Sequence, residues 1–133
     1  MSENIPYGKQ SISEVDIEAV VKILRSDFLT QGPTILSFEK AVASKCNSKF
    51  AVAVNSATSA LHIACLALGV GPGDTVWTSA NTFVASANCA LYCGASVEFV
   101  DIDPDTWCMS VDQLWHKLEH HQTKGMKLPK VVI

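Results

Sequence analysis

Long hydrophobic runs are missing from this 133-residue sequence. Its apolar stretches are too short and too often interrupted to span a bilayer. A basic excess is missing as well: 10 Lys and Arg stand against 13 Asp and Glu, a formal charge of −3. No basic field therefore argues for nucleic acid or an anionic membrane as partner. The opening MSENIPYGKQ lacks the apolar core of a secretory signal, so a cytoplasmic location is expected. Internal repeats and low-complexity tracts are absent. CxxC is absent too, and the five cysteines (Cys46, Cys65, Cys89, Cys93, Cys108) have no matching set to complete a tetrahedral metal site. Buried, reduced thiols are expected, with no metal and no disulfide. His116 and His120 are one helical turn apart, but the Glu of HExxH is missing. The cluster His116, His120, His121 reads as a solvated helix end. Neither GxxxxGK[ST] nor GxGxxG occurs, which lowers the odds on a nucleoside triphosphate or a dinucleotide.

What is present alternates between helix and strand patterns. Ser11-Ile-Ser-Glu14 reads as a capping box, and Ile17, Val20, Val21 and Leu24 give a helix over about 13–26. DFLTQGP, Asp27 to Pro33, ends it on a Gly-Pro breaker. A second helix is expected from about Thr34 to Cys46, with Ile35, Phe38 and Val42 inward. FAVAV, Phe50 to Val54, reads as a central parallel strand buried on both faces. The next helix carries Leu61, Ala64, Cys65 and Leu68 on one face, and GVGPGD is turn chemistry. TVWTS is a second strand, Asn81 to Gly94 a helix of small residues stopped by Gly94, and SVEFVDID a third strand. Ser110-Val-Asp-Gln113 opens a further helix through Leu114 and Leu118, and Lys130 to Ile133 starts a fourth strand. The alternation implies an α/β domain of three layers with a mostly parallel sheet. The last strand stops almost as it begins, which suggests the N-terminal part of a longer chain, with its sheet truncated at the C-terminus.

The informative stretch is NSATSALHIACLAL, Asn55 to Leu68. Small polar residues between a buried parallel strand and a helix lie at the carboxyl end of the sheet, where open α/β folds bind ligands. Helix-start N–H groups and the helix dipole make an anion site there, most often for phosphate. Thr58 and Ser59 add hydroxyl donors, and small side chains let a phosphate approach the backbone. Asn55, Ser56 and Thr58 could equally do no more than cap the helix.

NSATSALHIACLALGVGPGD, followed by TSANTFVASANCALYCGASVEFVDIDPDT, resembles the sugar aminotransferase family that depends on pyridoxal 5′-phosphate (PLP). IPYGKQSISEVDIEAVVKILRSDFLTQGP agrees with it. The resemblance implies the aspartate-aminotransferase-like fold type I, with this chain as the N-terminal part of the large domain. It divides the chain into an N-terminal helix and substrate loop over 1–33 and an incomplete PLP-binding domain over 34–133. Within the family, the pattern is most similar to the branch of pseudaminic acid synthesis. That branch forms UDP-4-amino-4,6-dideoxy-N-acetyl-β-L-altrosamine from a UDP-linked 4-keto sugar, with glutamate as amino donor. The resemblance places the cofactor phosphate at Thr58 and Ser59 and an aromatic ring, Phe83, against the cofactor's pyridine. It places substrate contacts at Tyr7, Asp27, Phe28, Leu29, Thr30 and Ala57, and implies a homodimer. Without it, DFLTQGP is a plain loop and Phe83 a core aromatic. Asp101 and Asp103 match a family landmark and read as turn and capping residues.

Transamination with PLP needs a lysine for the Schiff base, a carboxylate at the pyridinium nitrogen and a phosphate cup. By the resemblance, the lysine and the carboxylate lie beyond Ile133, so no catalytic residue is assigned. The lysines present sit in polar contexts or on helix exteriors, without the apolar setting that lowers an amine pKa. These 133 residues alone are therefore expected to give no turnover. Some relatives carry histidine in place of the lysine and act as dehydrases, and the deciding position is absent. The alternatives are a non-catalytic module that binds a phosphate ligand or intact subunits, and an unrelated phosphosugar enzyme.

Overall fold

The computed structural model describes residues 8–133, which form two compact units, one ending at Ala53 and one starting at Val54. Tyr7 lies outside the described residues.

The first unit holds α1 (Glu14–Leu24) and α2 (Pro33–Lys45). The capping box of α1 is Ser13 with Asp16, two residues beyond the expected pair Ser11 and Glu14. Asp16 accepts from the Ser13 N–H and hydroxyl at 2.8 Å each, and Ser13 Oγ accepts from the Asp16 N–H at 3.3 Å. The Ser13 N–H, then its hydroxyl, hold the Asp16 carboxyl below the usual range. Both Ser-x-x-acid patterns were available. The one that forms places its first turn directly before Ile17. Gly32-Pro33 starts α2 rather than ending α1, since Pro33 is pre-set for a first helical position. A Cβ on Gly32 would fall 2.6 Å from the Phe28 Cβ, so this turn closes only with glycine. The expected inner face of α2 does not form: Ile35 and Phe38 are exposed, Val42 is half-buried, and Ala43 is the buried residue.

The expectation for FAVAV is overturned. Residues 50–54 form no ladder among the described residues, and Phe50 and Val52 are exposed. Apolar composition fits a strand, but a strand exists only when a neighbour takes its backbone groups. Here Glu39 accepts the Ala53 N–H at 2.9 Å.

The second unit is built on β1 (Thr75–Ser79), β2 (Ser96–Val100) and β3 (Val131–Val132), all parallel in the order β2-β1-β3. Helices α3 (Ala57–Ala67), α4 (Ala85–Tyr92) and α5 (Val111–Thr123) complete it. Alternation along β1 divides the packing. Val76 faces the core of Cys65, Val70, Cys89, Ala90 and Ala95, contributed largely by α3 and α4. Trp77 faces α5, its indole 4.8 Å from the His121 ring in an edge-on arrangement. Helices therefore cover both faces of a parallel sheet, as expected for a three-layer α/β unit. The small residues of α4, with Ala85, Ser86, Cys89 and Ala90 buried, let that helix lie close on the sheet.

Helix ends follow one rule. At α3, α4 and α5, glycines Gly69, Gly94 and Gly125 take positive φ, and the next residue donates back to the helix (Val70 to Cys65, Ala95 to Ala90, Met126 to His121). This is the left-handed C-terminal turn that glycine allows without strain. The turn before β1 is fastened by Asp74, which accepts from the Gly71 N–H at 3.1 Å and pairs with Lys127 at 2.8 Å. The Lys127 hydrogen bond, then the Gly71 N–H, hold the Asp74 carboxyl below the usual range. Its lowered value means that this stabilisation is full above the ordinary carboxylate range and is lost as pH falls through the lowered value. Asp74→Asn is therefore expected to flatten the fall of the thermal midpoint between roughly pH 5 and pH 2. An unchanged acid limb in the variant would show that the pair contributes nothing.

Two side-chain expectations are corrected. His121 is buried, because the helix turns it under the sheet beside Trp77, where its Nδ1 lies 3.0 Å from the Lys127 carbonyl oxygen. All five thiols are free, but Cys46 and Cys108 are exposed; only Cys65 and Cys89 are buried, and burial pushes Cys65 up to about 11.

Candidate cofactor-phosphate site

Helix α3 leads through the Gly69–Asp74 turn into β1 and runs back against it. Its 11 residues rise about 16 Å and the five of β1 about 17 Å. The start of α3 therefore lies at the carboxyl end of the sheet, where β1 ends at Ser79 and the chain continues to Phe83.

Ser56 is the N-cap: its Oγ accepts from the Ser59 N–H at 3.1 Å, and its carbonyl accepts from the Ala60 N–H at 3.0 Å. Among the described residues, the N–H groups of Ala57 and Thr58 meet no protein acceptor. The first turn of α3 carries no acidic residue to compete for them. Ala57 is exposed, and Thr58 and Ser59 are half-buried. Ser59 Oγ donates to Asn55 Oδ1 at 2.8 Å, and Ser56 Oγ donates to Ser59 Oγ at 3.0 Å. Asn55, read from the sequence as a capping residue, joins this network through its side-chain oxygen.

Phe83 does not lie in α4, contrary to the expected helix over 81–94. The segment 81–84 precedes the helix, with Val84 as N-cap, and the Phe83 ring is 70% exposed. The reading of Phe83 as a core aromatic therefore fails, and a ring free to meet a ligand remains. The Thr82 and Ser86 hydroxyls, 3.2 Å apart, tie that segment to α4. Thr78, on the Val76 face of β1, buries its hydroxyl without a partner among the described residues.

Asp27, Phe28, Leu29 and Thr30 form the exposed connection between α1 and α2, in the first unit. Ser26 shapes it, its Oγ donating to the Ile23 and Phe28 carbonyls at 2.8 and 3.2 Å. Asp101 and Asp103 act as the turn residues expected of them. Asp101 accepts from the Ile102 N–H, and Asp103 accepts from the N–H groups of Asp105 and Thr106. The Thr106 N–H, first among these contacts, holds Asp103 below the usual carboxylate range. Lys117 departs from the expected polar exterior: it lies 4.6 Å over the Trp77 ring and 2.9 Å from Glu98. Among the described residues, no cluster of three or more His, Cys, Asp or Glu could hold a metal ion.

A parallel sheet with helices on both faces and an open helix start at its carboxyl edge defines an α/β fold of the three-layer class. Residues 10–127 match the DegT/DnrJ/EryC1/StrS aminotransferase family, and the chain belongs to that family. It is 44% identical over 123 residues to the spore coat polysaccharide biosynthesis protein SpsC of Bacillus subtilis (strain 168), covering 92% of this chain and 31% of SpsC. It resembles the PLP form of the putative sugar aminotransferase Spr1654 of Streptococcus pneumoniae, with 38% identity and a TM-score of 0.79, covering 85% of this chain and 29% of that one. A GDP-4-keto-6-deoxymannose-3-dehydratase is similar at 25% identity and a TM-score of 0.79, covering 85% of this chain and 31% of that one. The chain thus spans about a third of the length of these relatives.

Proposed function

We propose that this chain supplies the cofactor-phosphate cup and the N-terminal substrate loop of a PLP-dependent sugar-nucleotide aminotransferase. The observation that carries this is the open start of α3, with two unaccepted N–H groups, two hydroxyl residues and no competing carboxylate in the first turn. That donor set suits a phosphate dianion. When bound, PLP supplies the electron sink for moving an amino group. The chain's part is to hold the phosphate at Ala57, Thr58 and Ser59 and to offer the Phe83 ring to the pyridine face. Asp27, Phe28, Leu29, Thr30, Tyr7 and Ala57 are proposed to contact the substrate. The Schiff-base lysine and the pyridinium carboxylate are not among the residues assigned here.

For the substrate we propose a UDP-linked 4-keto-6-deoxy-N-acetyl hexose, aminated at C4 with glutamate as donor, as in pseudaminic acid synthesis. The whole enzyme is proposed to be a cytoplasmic homodimer. The similarity to SpsC supports a role in surface-polysaccharide sugars without naming the sugar. The similarity to a 3-dehydratase favours a second reading, deoxygenation at C3 of the keto sugar.

The natural gene product, incubated with PLP, glutamate and the UDP-linked 4-keto sugar, is expected to form a 4-amino sugar and 2-oxoglutarate in equal amounts. A 3-deoxy product would establish the second reading. Neither product, with PLP bound, would remove this substrate class.

A further inference from the structure

We infer that Cys93 is a peroxide-reactive thiol and that Cys65 is its disulfide partner, so that oxidation staples α3 to α4. No residue of the proposed phosphate cup takes part, and the inference does not rest on that reading.

Three of the five cysteines converge where α3 and α4 pack. Cys65 and Cys89 belong to one buried cluster with Val70, Val76, Ala90 and Ala95, and Cys93 packs against it. Two contacts fix Cys93 beside Cys65. Tyr92, the residue before Cys93, meets the ring of His62, which precedes Cys65 by one turn of α3, at a centroid distance of 5.3 Å. Gly94, the residue after Cys93, lies against the turn that follows α3: a Cβ built on it would fall 3.3 Å from the Pro72 ring. The thiols also act on one another. Burial first, then a hydrogen bond with the Cys89 thiol and the nearness of Cys93, push Cys65 up to about 11.

Exposure sorts the roles. Cys65 is 2% exposed and Cys89 0%, whereas Cys93 is half-buried and admits a small oxidant. The Cys93 sulfur attacks one oxygen of hydrogen peroxide and the O–O bond breaks. Cys93 becomes a sulfenic acid, and the released hydroxide leaves as water with the thiol's proton. The Cys65 sulfur then attacks the sulfenic sulfur. An S–S bond forms, the S–O bond breaks, and a second water carries off the Cys65 proton. Two thiols are oxidised and one peroxide is reduced. Cys89 does not compete for Cys93, because the two stand one turn apart on α4. That spacing sets their Cβ atoms about 5–6 Å apart, beyond the roughly 3.5–4.5 Å that a disulfide spans. Cys89 instead donates to the Ser86 carbonyl at 3.3 Å. With its thiol held high, Cys65 offers little thiolate at neutral pH, so the second step quickens as pH rises.

The test treats the reduced full chain with hydrogen peroxide, blocks remaining thiols, and maps the unreduced digest by mass spectrometry. The expected product is a Cys65–Cys93 peptide pair, reversed by dithiothreitol and formed at least about tenfold faster near pH 9 than near pH 7. A double variant, Cys46→Ser with Cys108→Ser, removes the exposed thiols and is expected to give the same pair. Cys93→Ala is expected to leave Cys65 a free thiol, and thermal midpoints check that each variant keeps its fold. A Cys65–Cys89 or Cys89–Cys93 pair in its place would overturn the inference. So would Cys93 that stays a thiol or stops at an oxyacid, loss of the pair in the double variant, or a disulfide at Cys65 in Cys93→Ala.

Discussion

Replacing Trp77 with alanine is expected to lower the unfolding free energy by about 3–5 kcal/mol, the range for truncating a buried aromatic. Trp77 is fully buried at the centre of the sheet, paired in register with Glu98 on β2 and Val132 on β3. Its indole is the floor on which α5 rests, with the His121 ring at 4.8 Å and the Lys117 amine at 4.6 Å. Removal leaves a cavity between two layers and strips a cation–π contact from Lys117. It orphans no acceptor, because the indole N–H has no partner among the described residues. Trp77→Phe therefore separates volume from polarity and is expected to cost less than Trp77→Ala. Urea unfolding followed by circular dichroism measures both. A loss below about 1 kcal/mol for Trp77→Ala would mean that α5 does not depend on this ring.

Thr58→Asp is expected to abolish phosphate binding while leaving stability unchanged or slightly higher. Thr58 stands in the first turn of α3, where no acid is present. A carboxylate there meets the positive end of the helix dipole, a gain of about 0.3–1 kcal/mol. The same carboxylate would occupy the N–H groups proposed for the phosphate and repel it at close range. Affinity for pyridoxine 5′-phosphate is expected to fall at least about 100-fold, the scale for replacing a charge-assisted contact by like-charge repulsion. Calorimetric titration and a thermal melt on the same sample read the two effects. Binding retained alongside a raised melting point would place the anion elsewhere. Binding and stability lost together would make Thr58 a packing residue.

These two positions differ in how far the sequence revealed them. The place of Thr58 in the first turn of α3 was legible because it is set locally, by a small polar cluster before a helical pattern. The β1 and β2 strands, the glycine stops at Gly69 and Gly94, and the turn roles of Asp101 and Asp103 were legible for the same reason. Each depends on neighbours a few residues away. FAVAV had the composition of a strand and formed none among the described residues. Its state depends on a ladder partner, which composition does not supply. The start of α1 was legible to within a residue, but its capping box was placed two residues early, at Ser11 and Glu14 instead of Ser13 and Asp16, because both Ser-x-x-acid pairs are present.

What the sequence determined by itself is the α/β alternation, the position of the α3 helix start and, through its motifs, the family. These follow from period, turn chemistry and backbone donors that any fold of the chain must use. The tertiary structure decided which side chains share a site. It buried His121 against Trp77, drew Lys117 across the indole to Glu98, released Phe83 from its helix and turned the Ser59 hydroxyl onto Asn55. Those outcomes depend on which faces and which lone pairs meet in space, and a linear pattern does not carry the direction of a hydrogen bond.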